Sequence, residues 1–208
     1  ATFNNQGRDL KAVLYTNKKG DQNYFTPDGH SMRKAFLRSP IDFARISSHF
    51  NLRRKHPVLH TIRAHKGTDY AARRGTPIKA TGDGKVIHAA RKGGYGKAVI
   101  IQHGQKISTL YAHLSKYARG VRSGTRVKQG QIIGYVGSTG MSQAPHLHYE
   151  FLLNGVHRNP RTVKLPDAKP INKKYRQAFA AIANKRITEL SGSKLALNTL
   201  QNGHDQAP

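Results

Sequence analysis

The sequence predicts a mainly β fold: an antiparallel sheet with a short extended and helical lead-in and a C-terminal helix. Three observations carry this. From Thr76 onward, "TPIKAT", "GKVIHAA", "KAVIIQH", "ISTLYAHL" and "VKQGQIIGYVG" are short apolar runs, spaced at roughly 8–12 residues as in sandwich or barrel-like sheets. They are separated by "GDG", "RKGGYG" and "HGQK", which is turn chemistry, and the chain holds 20 glycines. No strand alternates with a helical pattern, so a parallel βαβ sheet is not expected.

The elements follow in chain order. "LKAVLYTN" and "QNYFTPDG" alternate like strand, turn and strand. "SMRKAFLRSP" offers Ser31 as an N-cap and Pro40 as a stop, so a short helix is expected over 31–40. "FARISSHFNLRRKHP" then leads into a loop rich in Arg, Lys and His. After the strand region, "NKKYRQAFAAIANKRITEL" places Tyr175, Phe179, Ile182, Ile187 and Leu190 near a 3.6-residue period, predicting an amphipathic helix docked on the sheet domain. The segment after it, from Ser191, is expected to be loosely ordered. Three regions result: 1–45 as the remnant of an upstream domain with a linker helix, 46–165 as the sheet domain, and 166–208 as an extension with a helix and a loose tail.

Composition bounds the function. The 208 residues include 36 basic and 10 acidic side chains, a net charge of +26. Such a charge calls for a polyanionic partner. The basic residues are spread along the chain, with no helix-turn-helix, Gly-x-x-Gly clamp or aromatic RNA-binding strand, so specific nucleic-acid binding is not expected. There is no cysteine, which leaves His, Asp and Glu as the ligands of any zinc site. No stretch reaches the roughly 20 apolar residues of a membrane span. The opening "ATFNNQGRDLKAVLY" lacks the pattern of a signal peptide, so an export signal or anchor would lie upstream.

"APHLHYEF" carries the most chemistry. In a strand, His146, His148 and Glu150 share one face, and Leu147, Tyr149 and Phe151 share the other. The second face is a packing face; the first is polar and crowded. "RAHKGTDYAA" adds His65 and Asp69. Gly67 and Thr68 disfavour a helix there, and fully extended the two residues would lie roughly 13 Å apart. A shared metal therefore requires the chain to fold back, which Gly67 permits. His65, Asp69 and one His of "HLH" would form an open site with room for water, the ligand count of a catalytic rather than a structural zinc. The other His of "HLH" and His113 of "YAHL" are left for a base and an oxyanion or leaving-group partner.

Together these motifs resemble the lysostaphin/LytM-type zinc metallopeptidases. The likeness spans residues 46–160, with "HKGTDYAA", "TPIKATGDGKV", "GYGKAVIIQHG", "YAHL", "VKQGQIIGYVGSTG" and "PHLHYEF" in order. The resemblance implies an antiparallel sheet with an open groove, and one Zn2+ held by His65, Asp69 and His148. It implies His113 and His146 as the catalytic pair, and gives Glu150 no catalytic role: it is expected to support a ligand, to be solvated, or to pair with Lys or Arg. The lead-in "SMRKAFLRSPIDFARISSHFNLRRKHP" and the tail "TVKLPDAKPI" are similar to the Gram-negative murein D,D-endopeptidases. That implies a periplasmic or envelope enzyme acting on cross-linked stem peptides of peptidoglycan at the D-alanyl–meso-diaminopimelate bond. An anionic wall or lipid surface would then be the partner of the charge. Gln143 stands where members commonly have Thr or Ser. The competing reading is a non-catalytic wall-binding or amidase-activator module of the same fold; relatives of that kind have lost metal ligands, which this chain keeps.

Overall fold

The computed structural model describes residues 1–5, 7–18, 20–54 and 64–202. It resolves into two compact units: residues 1–35 with 166–208, and residues 36–165. The two ends of the chain, assigned above to separate regions, thus fall in one unit.

In the terminal unit, β1 (Thr2–Asn5) pairs with β2 (Arg8–Lys11), and β3 (Val13–Thr16) with β4 (Gln22–Phe25), both antiparallel. Asn172 caps the turn that leads into α1 (Arg176–Asn202), its side chain accepting from the Lys174 amide at 3.1 Å. Phe179 and Ala183, four apart on one face, pack with Val13, Tyr15, Phe25 and Ile171 into a small core of this unit, where the sequence predicts docking on the sheet domain. The amphipathic pattern is narrower than the sequence suggests: Ile182 is exposed, and Ile187 and Leu190 are half-buried. Of the loose tail expected from Ser191, residues 191–202 are instead helical, and 203–208 lie outside the described residues.

The helix expected over 31–40 does not form. Ser31 Oγ does accept from the Arg33 amide, but other partners claim the segment. Ser31 bridges Phe25, and Lys34 bridges Asp167. Further on, the Leu37 amide donates to Thr81 O at 2.7 Å, Phe36 packs edge-on against Phe151, and Arg38 reaches Val163 O at 2.7 Å. Backbone groups used this way cannot also make i→i−4 bonds.

In the central unit the strands are β5 (Arg45–Ser48), β6 (Thr68–Ala71), β7 (Pro77–Lys79), β8 (Gly84–Arg91), β9 (Lys97–His103) and β10 (Ile107–Ala112). They continue with β11 (Leu114–Tyr117), β12 (Arg126–Val127), β13 (Ile132–Val136), β14 (His146–Leu153) and β15 (Val156–Arg158). Eight of them form one antiparallel sheet in the order β12-β8-β9-β10-β14-β6-β5, with β15 beside β14; β11-β13-β7 form a second. β5 lies in "FARISSH", a stretch for which the sequence predicts no strand. Val86, Val99, Ile101, Tyr111, Leu147 and Tyr149 of the large sheet meet Ile78, Leu114, Ile133 and Val136 of the small one in a single core.

The alternation predicted for β14 holds: Leu147, Tyr149 and Phe151 are buried in the core. Burial of each such side chain is worth about 1.5–3 kcal/mol. A one-residue slip would move all three to the face that carries the site and drive two imidazoles and a carboxylate into the core, so the register is strongly specified. The site is thereby displayed on the other face.

Candidate metal centre

Three strands carry the site. β14 lies between β10 and β6, with His148 opposite Ala112 on one side and Asp69 on the other. This register sets His148 and Asp69 side by side: His148 Nδ1 lies 2.7 Å from Asp69 Oδ1. His65 arrives from before β6, where Asn51 and His65 exchange both backbone hydrogen bonds. The chain bends at Gly67 and brings His65 Nε2 to 3.1 Å from Asp69 Oδ1 and 3.2 Å from His148 Nδ1. The fold-back expected from the sequence is thus present. Gly67 is needed for close approach rather than for an unusual φ. A Cβ there would sit 2.6 Å from Tyr149 O and 2.7 Å from His148 Cε1.

The outer ring nitrogens settle which atoms face inward. His65 Nδ1 donates to His49 O at 2.7 Å, and His148 Nε2 bonds Glu150 Oε1 at 3.0 Å. With both rings neutral, that leaves His65 Nε2 and His148 Nδ1 as lone pairs beside a carboxylate, three acceptors in contact. Such a triangle calls for a cation: a proton on His148 in the metal-free protein, or a metal ion. A tetrahedral zinc site with bonds near 2.05 Å spaces its ligand atoms by about 3.3 Å, close to the separations seen here. One carboxylate with two imidazoles is also the donor chemistry zinc takes. His65, Asp69 and His148 can therefore hold one metal ion; their ligand atoms all lie within 4.8 Å of one another.

His113 and His146 stand next to this group. Their rings are 4.7 Å apart, and His146 Nε2 is 3.9 Å from Asp69 Oδ1. Each is pinned through Nδ1 to a backbone carbonyl, His113 to Thr139 O and His146 to Ala144 O, both at 2.8 Å. Nδ1 of each ring is thus the donor, which leaves Nε2 turned toward the groove. His113 has φ 61°, in the left-handed region, between β10 and β11. Its amide donates to Tyr95 O at 2.9 Å, so two loops hold it in a conformation that costs about 1 kcal/mol or more. Those loops interlock: a Cβ on Gly96 would meet Thr139 O at 2.3 Å. Burial, first, and the neighbouring imidazoles lower the His113 pKa, outweighing the Thr139 carbonyl, so this ring is neutral at pH 7.

Glu150 takes one of its three expected roles. It is 1% exposed, and among the described residues its partners include no Lys or Arg. Its carboxylate accepts from Tyr95 OH at 2.8 Å and bonds His148 Nε2 and His157 Nε2, each at 3.0 Å. Burial alone would raise its pKa, but the His148 bond and charge, with Tyr95, bring it below the ordinary value. The expectations of a solvated or Lys/Arg-paired residue are overturned, and support of a ligand is what the geometry gives. Tyr95 and His157 were not assigned by sequence; only the alternation of β14 pointed toward Glu150. His56, His60 and His204, given no role, lie outside the described residues.

The site opens into a groove of about 970 Å³ lined by His65, Asp69, His113, His146 and His148, with Gln143 on its rim. Two predictions arise here. Gly67→Ala should lower zinc affinity by about 10–100-fold, as disturbed ligand support does, because the methyl displaces either β14 or the His148 ring. Gly192→Ala on α1, where nothing lies within 4 Å, should leave it unchanged. Competitive zinc titration checks both.

The second concerns pH. Burial pulls the His148 pKa down, but hydrogen bonds and charge from Asp69 and Glu150 overcome it and raise the value to about 9. Asp69 is raised by burial and lowered more by the two imidazoles, for a net depression. In metal-free protein the His148 contribution to stability is full below about 6.5 and is lost as pH climbs through about 9. The Asp69 contribution is present above its unfolded value of 3.8 and is lost on acidification through its lowered folded value. Thermal melts of metal-free wild type and Asp69→Asn should therefore converge between about pH 6.5 and 10. A constant gap would contradict this.

The sequence profile of Peptidase family M23 matches residues 63–160. The peptidoglycan DD-endopeptidase ShyC of Vibrio cholerae is 50% identical over 190 residues, which is 91% of this chain and 43% of that protein. The chain thus spans less than half of that relative's length. A zinc-containing peptidase from Vibrio cholerae superposes with TM-score 0.62 at 35% identity, covering 79% of this chain and 50% of the other. The catalytic domain of the prophage-encoded M23 protein EnpA from Enterococcus faecalis, solved as a point mutant, superposes with TM-score 0.50 at 36% identity, over 60% of this chain and 95% of that domain. With its motifs in order and nearly the whole of an M23 catalytic domain matched, this chain belongs to peptidase family M23.

Proposed function

We propose that the protein is a zinc-dependent peptidoglycan endopeptidase that hydrolyses D-alanyl–meso-diaminopimelate cross-links. The observation that carries it is the His65–Asp69–His148 triangle with two further imidazoles, His113 and His146, beside it on the groove floor. His65, Asp69 and His148 hold the metal. When bound, zinc acidifies water and polarises the scissile carbonyl. His113 and His146 divide the proton work: one takes a proton from the attacking water at Nε2, and the other stabilises the oxyanion or protonates the leaving amine. Glu150 keeps His148 turned with Nδ1 inward. The catalytic domain is residues 46–165.

The printed name of ShyC, a peptidoglycan DD-endopeptidase, supports the substrate. Such a substrate places the enzyme in the periplasm of a Gram-negative envelope. Among the described residues no helix is long and apolar enough to cross a membrane. The charge of +26 holds the protein on anionic wall or lipid headgroups, so retention on purified wall should fall steeply between about 50 and 300 mM salt. Retention insensitive to salt would remove that role. The test of the activity is digestion of diaminopimelate-type peptidoglycan, read by mass spectrometry, with chelator and with zinc restored. Loss of cross-linked dimers that chelator blocks and zinc recovers supports the reading. Intact wall with fully zinc-loaded protein bound to it supports the binding module instead.

A further inference from the structure

The groove has two chemically different walls. Among the described residues that line it, one carries Arg45, Arg54 and Lys66; the other is built from Gly94, Tyr95 and 140–145 and has no charged residue. A chain this basic would place cations on both sides if they were only background. We propose that the cationic wall is a carboxylate-binding subsite, and that the enzyme selects acidic peptides with a free carboxylate within about two residues of the cleaved bond. This rests on the endopeptidase reading above and adds what the substrate must carry.

Register places Arg45 with the catalytic face. It lies opposite Ala71 on β6, and Ala71 lies opposite His146 on β14. Directly paired residues project to the same side of an antiparallel sheet. Arg45, Ala71 and His146 therefore form one row, and the middle position is a methyl group that leaves the floor open. Strands are spaced by about 4.8 Å, so Arg45 Cα lies about 10 Å from that of His146, some three residues of extended peptide. The length of the arginine side chain shortens that span.

The cations are available. Arg45, Arg54 and Lys66 are exposed. Among the described residues none of the three has a carboxylate partner; Arg54 Nη1 donates only to Ser48 Oγ, at 3.5 Å. The two acids that line the groove are committed elsewhere. Asp69 faces His65 and His148, and Glu150 is held by Tyr95, His148 and His157. A guanidinium binds a carboxylate through two parallel hydrogen bonds, which discriminates it from a neutral carboxamide. Stem peptides with free D-glutamyl and diaminopimelyl carboxylates fit this wall; their amidated forms do not.

The test uses zinc-loaded enzyme and two synthetic cross-linked stem-peptide dimers, one with free carboxylates and one amidated, with kcat and KM measured separately. Wild type should favour the free acid by about 10-fold in kcat/KM, mainly through KM, as loss of one charge-assisted hydrogen bond implies. Arg45→Gln should narrow the ratio, Arg45→Gln with Lys66→Gln should bring it near unity, and Arg45→Lys should keep part of it. Arg126→Gln, on β12 at the opposite edge of the sheet, should keep the full ratio. Equal turnover of both dimers by wild type overturns the subsite while the endopeptidase stands. So does a ratio unmoved by the double variant, or one equally sensitive to Arg126→Gln. Cleavage of neither dimer overturns the endopeptidase reading, and the subsite with it.

Discussion

Asp69→Ala is expected to abolish both stoichiometric zinc binding and peptidoglycan cleavage. Asp69 Oδ1 contacts both other inward-facing atoms, 3.1 Å from His65 Nε2 and 2.7 Å from His148 Nδ1. Removing it deletes the negative charge of the triangle that faces the cation. It also leaves two buried imidazoles 3.2 Å apart without the carboxylate that both of them contact. Mutating groups that merely orient ligands costs about 10–100-fold in affinity, so loss of a ligand should exceed that. Cleavage should fall by at least about 10³-fold, since the metal's charge stabilisation is worth several kcal/mol. Two measurements are needed. Metal analysis after dialysis should find wild type near one zinc and the variant near none. Melting temperature should rise with added zinc in wild type, because a ligand that binds only the folded state stabilises it, and should not rise in Asp69→Ala. A variant that stays zinc-loaded would mean that His65 and His148 suffice, and the assignment of Asp69 would be wrong.

The parts of this site that could be read from sequence are those whose spacing is local. His146, His148 and Glu150 share a face because β14 alternates. His65 and Asp69 could be linked because Gly67 offered a bend. Their meeting depends on β6 lying beside β14, a pairing between positions 79 residues apart; ligand chemistry suggests that the two motifs share a metal, and only the resemblance says which imidazole of "HLH" is the ligand. The two loops around His113 were invisible for the same reason: nothing local says that Gly96 and Thr139 touch. The role of Glu150 stays open in the sequence because a carboxylate in a chain with 36 basic residues is expected to find one of them. Its actual partners, Tyr95 and His157, come from a loop and from the neighbouring strand β15. The helix expected over 31–40 failed through tertiary override: a good cap and a terminal proline are worth about 1 kcal/mol, less than burying Phe36 and satisfying Arg38 along an extended path.

His113→Ala should abolish cleavage while zinc stays bound, and this contrast with Asp69→Ala separates the two groups of residues. His113 meets the triangle only through ring packing, its ring centre lying 6.0 Å from that of His148. Its Nδ1 is occupied by Thr139 O, and its Nε2 is left to take a proton. Burial lowers its pKa, so the ring is an acceptor at neutral pH, as a base or an oxyanion partner that cycles through protonation requires. Loss of one acid–base group costs about 10²–10⁴-fold, so kcat/KM should fall by that factor with zinc content near one. Backbone strain complicates alanine here, because φ is 61°. His113→Asn is the companion variant, since Asn tolerates the left-handed region better. If both variants keep zinc and lose turnover, the loss lies in the chemistry of the imidazole. If both lose zinc, His113 belongs with the ligands and the division of roles fails. If only the alanine variant loses zinc, the loops carrying Tyr95 and Thr139 have been released, and the metal site depends on the conformation of His113 as well as on its three ligands.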